Sequence, residues 1–134
     1  MGSLSIEIES SRKNISRVEK VLQKANDECQ LGQEKFNKLL IAVTEIVLNA
    51  IVHGNKEIIS KKVKVKVHYD SEKMIVNVSD EGNGFDFESL PDPTLPENIY
   101  SDSGRGIFIA RNLIDKMEYK KTRRGSEFIL TVLK

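Results

Sequence analysis

The stretch from Leu39 to Gly54, LLIAVTEIVLNAIVHG, decides the fold of this chain. Apart from one side, nearly all of it is Leu, Ile, Val or Ala, which predicts a helix that is mostly buried. Steps of four residues place Glu45, Asn49 and His53 along that one side. A carboxylate and an amide that face a buried environment are costly unless a partner satisfies them. A bound metal ion that carries a phosphate would satisfy both.

Glu45 and Asn49 have the chemistry of a phosphoryl-transfer site. Asn49 offers a neutral carbonyl oxygen, which suits a hard ion such as Mg²⁺ that keeps water ligands and also binds phosphate oxygens. Glu45, one turn earlier, would lie on the same side of that metal and accept the proton of an attacking hydroxyl or water. The alternative for this pair alone is that both residues cap backbone groups or lie at a solvated helix edge.

The segment Asp80-Glu81-Gly82-Asn83-Gly84-Phe85 follows directly on a predicted strand. An aspartate at the end of a strand can accept a hydrogen bond from the exocyclic amine of adenine. Gly82 and Gly84 have no Cβ, so the backbone there can turn and approach a ligand closely. Because the same residues are common turn formers, the segment alone fits an ordinary turn equally well.

A second glycine-rich segment, Ser103-Gly104-Arg105-Gly106-Ile107, lies where a loop is expected to enter a helix. Free N–H groups and the helix dipole bind anions at such a position, and glycines permit close contact. The alternative is a flexible helix start with a solvated Arg105. The connection before it, from Asp80 to Ser103, contains all three prolines of the chain, and a loop of that length inside a compact domain is usually functional.

Hydrophobic periodicity along the rest of the chain predicts alternating strands and helices. The order predicts an α/β fold, in the form of an α+β two-layer sandwich with helices on one face of a mixed, largely antiparallel sheet. Because there is no internal repeat or interdomain linker, residues 1–134 are expected to form a single domain. Turns are expected at 70–73 and 124–125, strands at 4–9, 63–67, 74–78, 117–122 and 127–133, and helices after a cap at Ser10 and Ser11, from Glu34 to His53 and from Gly106 to Met117.

Composition excludes several classes of partner. The net charge of +1 gives no electrostatic footprint for nucleic acid or an anionic membrane, so neither is expected to bind. The single Cys29 excludes an intramolecular disulfide and fits a reducing compartment. No apolar run approaches the length of a membrane span and no secretory signal is recognisable, so we expect the protein to be cytoplasmic.

The order of the three motifs resembles a known superfamily. Glu45–Gly54 (EIVLNAIVHG), Asp80–Phe85 (DEGNGF) and Ser103–Ile107 (SGRGI) closely resemble the ATPase domain shared by gyrase, Hsp90, histidine kinases and MutL (GHKL). Within it, the Glu-x-x-x-Asn-Ala-x-x-His-Gly form is most similar to the small bacterial anti-sigma factor serine kinases. The resemblance covers essentially the whole chain, and it implies the Bergerat-type ATP-binding fold.

The resemblance also implies roles for individual residues. Glu45 matches the general base of the family, and Asn49 matches its Mg²⁺ ligand. Asp80 matches the aspartate that reads adenine, with Gly82 and Gly84 shaping the adenine pocket. The lid that folds over the phosphates is matched by Gly104, Arg105, Gly106 and Ile107.

Two positions match the family less closely. His53 falls where the family often has a polar or basic residue near the phosphates, and the alternative is that it only finishes the helix. The family often has Gly-Thr-Thr near its C-terminal end, where this chain has Gly125-Ser126-Glu127. Ser126 keeps a hydroxyl that could help to hold adenine, whereas Glu127 loses one.

The function that the resemblance implies is an ATP-dependent serine/threonine protein kinase that acts as an anti-sigma factor. Mg²⁺ and ATP would bind under the lid, and a STAS-domain antagonist would present its hydroxyl to the γ-phosphate. The partner sequestered in this switching system would be a sigma factor or another regulator, and the kinase would be a homodimer. The alternatives are a nucleotide-dependent binding module without significant kinase activity and a plain ATP hydrolase. Glu45 favours catalysis, because a pure binding module needs no carboxylate there.

Overall fold

The computed structural model of the chain describes residues 2–82 and 102–134, and for 102–104 it describes only the backbone. Most of the predicted connection between Asp80 and Ser103 therefore lies outside the described residues, and so does Gly84 of the predicted adenine pocket. The described elements follow one another as β1 (Gly2–Glu9), a 3-10 turn (Arg12–Asn14), α1 (Ile15–Cys29), α2 (Gln33–Asn49), a π-helical turn (Ala50–Gly54), β2 (Lys62–Tyr69), β3 (Lys73–Asp80), α3 (Asp102–Leu113), β4 (Lys116–Lys121) and β5 (Ser126–Leu133).

The strands form one five-stranded sheet in the order β1-β2-β3-β5-β4. Every pairing between them is antiparallel, so the fold class is confirmed and the described sheet contains none of the parallel pairing that a mixed sheet would have. The valines of β2 at 63, 65 and 67 are fully buried while the lysines between them are exposed. This alternation of two residues is what a sheet with one solvated face requires.

The helices pack on the buried face of the sheet. Helix α1 contributes Val18, Leu22 and Ala25 to the core, as its periodicity predicts. Helix α2 buries most of its length, including Leu39, Val43 and Ile46. Helix α2 packs against the sheet, α1 and α3, and the side that carries the polar stripe lies next to α3.

The turn between β2 and β3 is confirmed. The carboxylate oxygen Oδ1 of Asp70 accepts hydrogen bonds from the backbone N–H groups of Glu72 at 2.7 Å and Lys73 at 2.9 Å. An aspartate that bonds the backbone two residues ahead is a common way to close a tight turn. It fixes the register in which β3 presents Asp80 at its far end.

The predicted cap of α1 at Ser10 and Ser11 is wrong. Neither the 3-10 turn nor α1 receives a side-chain cap. The buried hydroxyl of Ser10 instead donates a hydrogen bond to the carbonyl oxygen of Lys61 at 2.5 Å. The cap was inferred from local chemistry, but the hydroxyl makes a long-range bond to the residue just before β2.

The predicted bounds of α3 are also wrong. The helix begins at Asp102 and ends at Leu113 instead of running from Gly106 to Met117, so Gly104, Arg105 and Gly106 lie inside its first turns and not before them. The helix ends because the chain begins to pair with the sheet two residues later. The backbone N–H of Asp115 donates a hydrogen bond to the carbonyl oxygen of Thr131 on β5 at 3.1 Å. Helical periodicity alone could not locate this switch to strand pairing.

Helix α2 with its π-helical turn, Gln33–Gly54, is 22 residues long and contains an 18-residue stretch of mean hydropathy 1.4. By length and composition alone it could cross a membrane, which corrects the expectation that no apolar stretch approaches that length. Half of the stretch is buried inside the protein. A core helix of a globular domain passes the same test, so this finding is weak evidence for a span.

Candidate functional site

Helices α2 and α3 line an open cavity of about 310 Å³, a size typical of small-molecule sites. Helix α2 supplies Glu45 and Asn49, the π-helical turn supplies His53, and α3 supplies Arg105 and Gly106. The polar stripe and part of the second glycine-rich segment, which are far apart in sequence, therefore meet at one place. The other residues around the cavity are Arg12, Leu48, Val52 and Ile109.

The helix widens into the π-helical turn directly after Asn49. Such turns are rare and are frequent at functional sites. The turn ends where the N–H of Asn55 donates to the carbonyl of Ala50 at 2.8 Å. His53 remains exposed at the cavity, a position from which an imidazole can reach a bound anion.

Asn49 carries the most informative single atom of the site. Its side chain is buried, and its Oδ1 has no hydrogen-bond partner among the described residues. A buried carbonyl oxygen without a partner costs about 1–3 kcal/mol. It lies at a cavity that Glu45 and Arg105 also line, where a metal ion could use it, so the residue fits a ligand of Mg²⁺.

The donor set of the site also favours a metal that relies on water and phosphate. Within residues 2–82 and 102–134, no group of three or more His, Cys, Asp or Glu side chains is placed to hold a metal ion. A site for zinc normally needs three or four such ligands. Mg²⁺ is usually bound by one or two protein oxygens together with waters and substrate phosphates, which is the arrangement that Asn49 offers.

Glu45 lies directly against α3. A Cβ placed on Gly106 would be 2.9 Å from Oε2 of Glu45, so a larger residue at position 106 would displace the carboxylate. The glycine that the sequence assigned to phosphate binding therefore also makes room for the predicted base. Gly106 is buried and Arg105 beside it is exposed.

Asp80 forms a second polar cluster at the end of β3. Its Oδ1 accepts a hydrogen bond from the N–H of Gly82 at 2.9 Å. The hydroxyl of Ser126 lies 3.0 Å from both carboxylate oxygens. Burial raises the pKa of Asp80, although the bonds from Gly82 and Ser126 oppose the shift. A buried carboxylate with fixed donors on one side is well suited to accept a further donor from a ligand.

Close backbone approaches connect the two clusters. A Cβ on Gly54, next to His53, would lie 2.5 Å from Oδ2 of Asp80. A Cβ on Gly82 would lie 2.1 Å from the carbonyl oxygen of Gly54. Only glycine fits at these contacts, because a side chain would have to overlap atoms that are already packed there. The Asp80 cluster is thereby packed against the end of the helix that carries Asn49.

Asn55 is a structural residue of the site that the sequence analysis missed. It is fully buried, and its amide donates to the hydroxyl of Ser10 at 2.9 Å and to the carbonyl of Lys62 at 3.0 Å. Its Oδ1 accepts the N–H of Glu81 at 2.7 Å. It therefore ties β1 and β2 to the chain that follows Asp80. The sequence signal was only an Asn after a helix-ending glycine, which is typical of an ordinary cap.

The other predicted site residues lie at different places around the two clusters. Ser126 bonds Asp80, so its hydroxyl orients the carboxylate. Glu127 accepts a hydrogen bond from Ser79 at 3.1 Å and, by the alternation of a strand, lies on the opposite face of β5 from Ser126. Ile107 is buried in the core and is not among the residues around the cavity. Gly104 is one of the residues of the first turn of α3.

Comparison with protein families gives a match over residues 8–132 to the family described as the histidine kinase-like ATPase domain. This chain belongs to that family. Membership of an ATPase family implies that the domain binds ATP, and it confirms the recognition made from the three motifs.

The curated proteins that this histidine kinase-like ATPase domain resembles include serine-protein kinases named RsbW. The RsbW of Listeria innocua is 30% identical over 91 residues, which are 63% of this chain and 58% of that protein. The RsbW of Bacillus subtilis is 29% identical over 90 residues, 63% of this chain and 56% of that protein. The match thus spans a little more than half the length of these relatives.

Solved structures show the same fold. The RsbU and RsbW domains of a Mycobacterium tuberculosis protein superpose with a TM-score of 0.71 at 17% identity, over 99% of this chain and 33% of that one. The catalytic domain of the histidine kinase ThkA superposes with a TM-score of 0.54 at 15% identity, over 100% of this chain and 97% of that one. At these identities the likeness concerns the fold alone.

The substitution Asp80→Asn should separate binding from stability. The folded-state pKa of Asp80 is raised above its ordinary 3.8, so the free energy of unfolding falls as pH rises from 3.8 through the raised value. An amide at this position cannot ionise and can still accept from Gly82, so the variant should lack this loss and be at least as stable at neutral pH. Its affinity for ATP should fall about tenfold or more, because a good acceptor for the adenine amine is lost.

The measurements are denaturant unfolding across pH and titration with ATP. Asp27→Asn, at an exposed position of α1, is the matched control. A variant at Asp80 that fails to fold would assign the residue to a structural turn, and unchanged ATP affinity would remove it from the site.

Proposed function

We propose that the chain is an ATP-dependent serine/threonine protein kinase of the anti-sigma factor type. Its substrate would be a STAS-domain antagonist, and its second partner would be a sigma factor or another regulator that it sequesters. The protein would act in the cytoplasm as a homodimer, with residues 1–134 as its single ATPase domain. The similarity to RsbW serine-protein kinases supports this class of activity.

One observation carries the proposal most strongly. Glu45 and the buried oxygen of Asn49, which has no partner among the described residues, lie at one cavity on successive turns of the same helix. A carboxylate beside a metal ligand is what proton removal from an attacking hydroxyl requires. A site for nucleotide binding alone would need the metal ligand but not the carboxylate. This favours catalysis over the binding-module alternative.

The residues of the site have separate tasks in this proposal. Asp80, oriented by Ser126 and Gly82, accepts the hydrogen bond of the adenine amine. Asn49 holds Mg²⁺, which when bound supplies positive charge beside the phosphate oxygens. Glu45 accepts the proton of the antagonist's Ser or Thr hydroxyl as that oxygen forms a bond to the γ-phosphorus and ADP leaves.

Two hydrogen-bond donors at the cavity fit a phosphate chain. Arg105 and His53 lie at the same cavity as Asn49, where a guanidinium and an imidazole can donate hydrogen bonds to phosphate oxygens. The lid assigned to residues 104–107 lies inside α3, close to the N-terminal end of the helix, where the helix dipole favours a bound anion.

The test is phosphate transfer from γ-labelled ATP and Mg²⁺ to each STAS-domain protein of the same genome. We expect one of them to be labelled on a Ser or Thr, and its Ala variant at that residue to remain unlabelled. Binding of ATP without transfer to any STAS-domain protein would favour the binding-module alternative. Release of phosphate at equal rates with and without these proteins would favour an ATP hydrolase.

A further inference from the structure

Arg12 is a cavity residue that belongs to none of the three motifs. It lies in the 3-10 turn after β1, far before Glu45 in the sequence, yet it is one of the residues around the same cavity as Glu45, Asn49 and Arg105. The cavity therefore carries two guanidinium groups and one carboxylate. This balance favours an anionic ligand over a neutral or cationic one.

The present partner of Arg12 is weakly held. Its Nε lies 3.3 Å from Oε1 of Glu57, and the two side chains are 64% and 52% exposed. An ion pair at such exposure contributes little stability, because water competes for both charges. A phosphate in the cavity can therefore replace Glu57 as the partner of the guanidinium with little loss of stabilising free energy.

The backbones that carry this pair are both fixed. The turn of Arg12 is closed by a bond from the N–H of Asn14 to the carbonyl of Ser11 at 3.0 Å, and Ser10 before it is bonded to Asn55. Glu57 adopts a left-handed backbone conformation with a φ of 57°. Its backbone N–H donates a hydrogen bond to the carbonyl oxygen of Ile51 at 2.8 Å. Non-glycine residues in that conformation are strained and cluster at functional sites.

We propose that Arg12 is a specificity-determining residue that exchanges Glu57 for the terminal phosphate of bound ATP. The inference rests on the proposed assignment of this cavity to Mg²⁺ and ATP. Arg12 shares the cavity of Glu45, which must lie next to the γ-phosphate, whereas Asp80, which would hold adenine, is not among the residues around that cavity. The planar guanidinium can make paired bonds to phosphate oxygens. In the absence of ATP, the carboxylate of Glu57 takes the place of the phosphate as the partner of Arg12 and keeps its side chain at the cavity.

The test compares the dissociation constants of ATP and ADP, both with Mg²⁺, for the wild-type chain and variants. Arg12→Ala should weaken ATP about tenfold or more, the effect of losing a charge-assisted pair of bonds, and should change ADP less than about threefold. Arg12→Lys should recover part of the ATP affinity, because lysine keeps the positive charge but lacks the paired N–H donors of the guanidinium. Glu57→Gln should tighten ATP or leave it unchanged.

Lys13→Ala is the matched control, because it removes a neighbouring exposed cation that is not at the cavity. Arg12 is exposed, so its variants are expected to fold, and thermal unfolding verifies this. An equal loss for ATP and ADP, or no loss, would overturn the role of Arg12 while leaving the proposed function intact. No ATP binding by the wild-type chain would instead overturn the proposed function and this inference with it.

Discussion

Glu45→Gln is expected to lower phosphate transfer by about 10²-fold or more while leaving ATP affinity close to that of the wild type. The size follows from the usual contribution of a positioned general base. Gln has the same shape as Glu, so it preserves the contact of this side chain with Gly106, but it cannot accept the proton of the incoming hydroxyl. The loss should therefore appear in the rate of transfer and not in binding.

The measurement is the rate of single-turnover transfer to the antagonist, with ATP binding measured in parallel. Glu34→Gln is the control on the same helix, where the carboxylate forms an ion pair with Lys38 at the surface. Transfer by Glu45→Gln at the wild-type rate would show that Glu45 is not the base. Loss of ATP binding in the same variant would indicate that the carboxylate holds the metal or the nucleotide.

Asn49→Ala is expected to abolish the Mg²⁺-dependent part of ATP binding without destabilising the fold. The buried Oδ1 of Asn49 has no partner among the described residues, so its removal takes away an unsatisfied group whose burial costs free energy. The stability of the protein without ligand should therefore be unchanged or higher. Only the complex needs this oxygen.

Asn77 provides a matched control. It is the other residue for which a buried side-chain Oδ1 is unpartnered in the described part of the chain, but it lies on β3 opposite Ile129 and Lys66, away from the cavity. Asn77→Ala should leave ATP binding with Mg²⁺ unaltered. Thermal unfolding with and without Mg²⁺ and ATP measures both properties. Equal stabilisation of Asn49→Ala and wild type by Mg²⁺ and ATP would contradict the metal role.

The parts of the fold that the sequence predicted are those with local signals. Alternating Val and Lys on β2, the Asp at the β2–β3 turn and the periodicity of α2 each reflect a period or a turn chemistry that acts within a few residues. The predicted polar stripe also depended only on helical spacing. The three stripe residues lie at one cavity because the apolar sides of α2 pack against the sheet and the neighbouring helices.

The features that could not be predicted depend on contacts that are distant in the chain. The hydroxyl of Ser10 bonds Lys61 in place of a helix end, and Asn55 joins three segments through one amide. Arg12, in the turn after the edge strand β1, lies at the cavity although it is more than 30 residues before Glu45 in the chain. The start of α3 was misplaced because its glycines suggested a loop, whereas Gly106 lies inside the helix, where it packs against Glu45.

Stability and function make opposite demands at this site. Asp80 is buried with a raised pKa, and Asn49 is buried with an unpartnered oxygen among the described residues. Each costs free energy in the protein without ligand, and in the proposed function each would be satisfied by a different end of one ligand: an amine donor for Asp80 and a metal ion with phosphates for Asn49. Such costs at neighbouring residues are expected where a binding site is prepared in advance of its ligand.

The most direct test of a single Mg²⁺ and ATP site is a crystal structure of the chain with Mg²⁺ and a non-hydrolysable ATP analogue. We expect the adenine amine to donate to Asp80, Oδ1 of Asn49 to coordinate the metal, and the γ-phosphate to lie between Glu45 and Arg12. A nucleotide bound elsewhere, or a metal held without Asn49, would contradict the assignment.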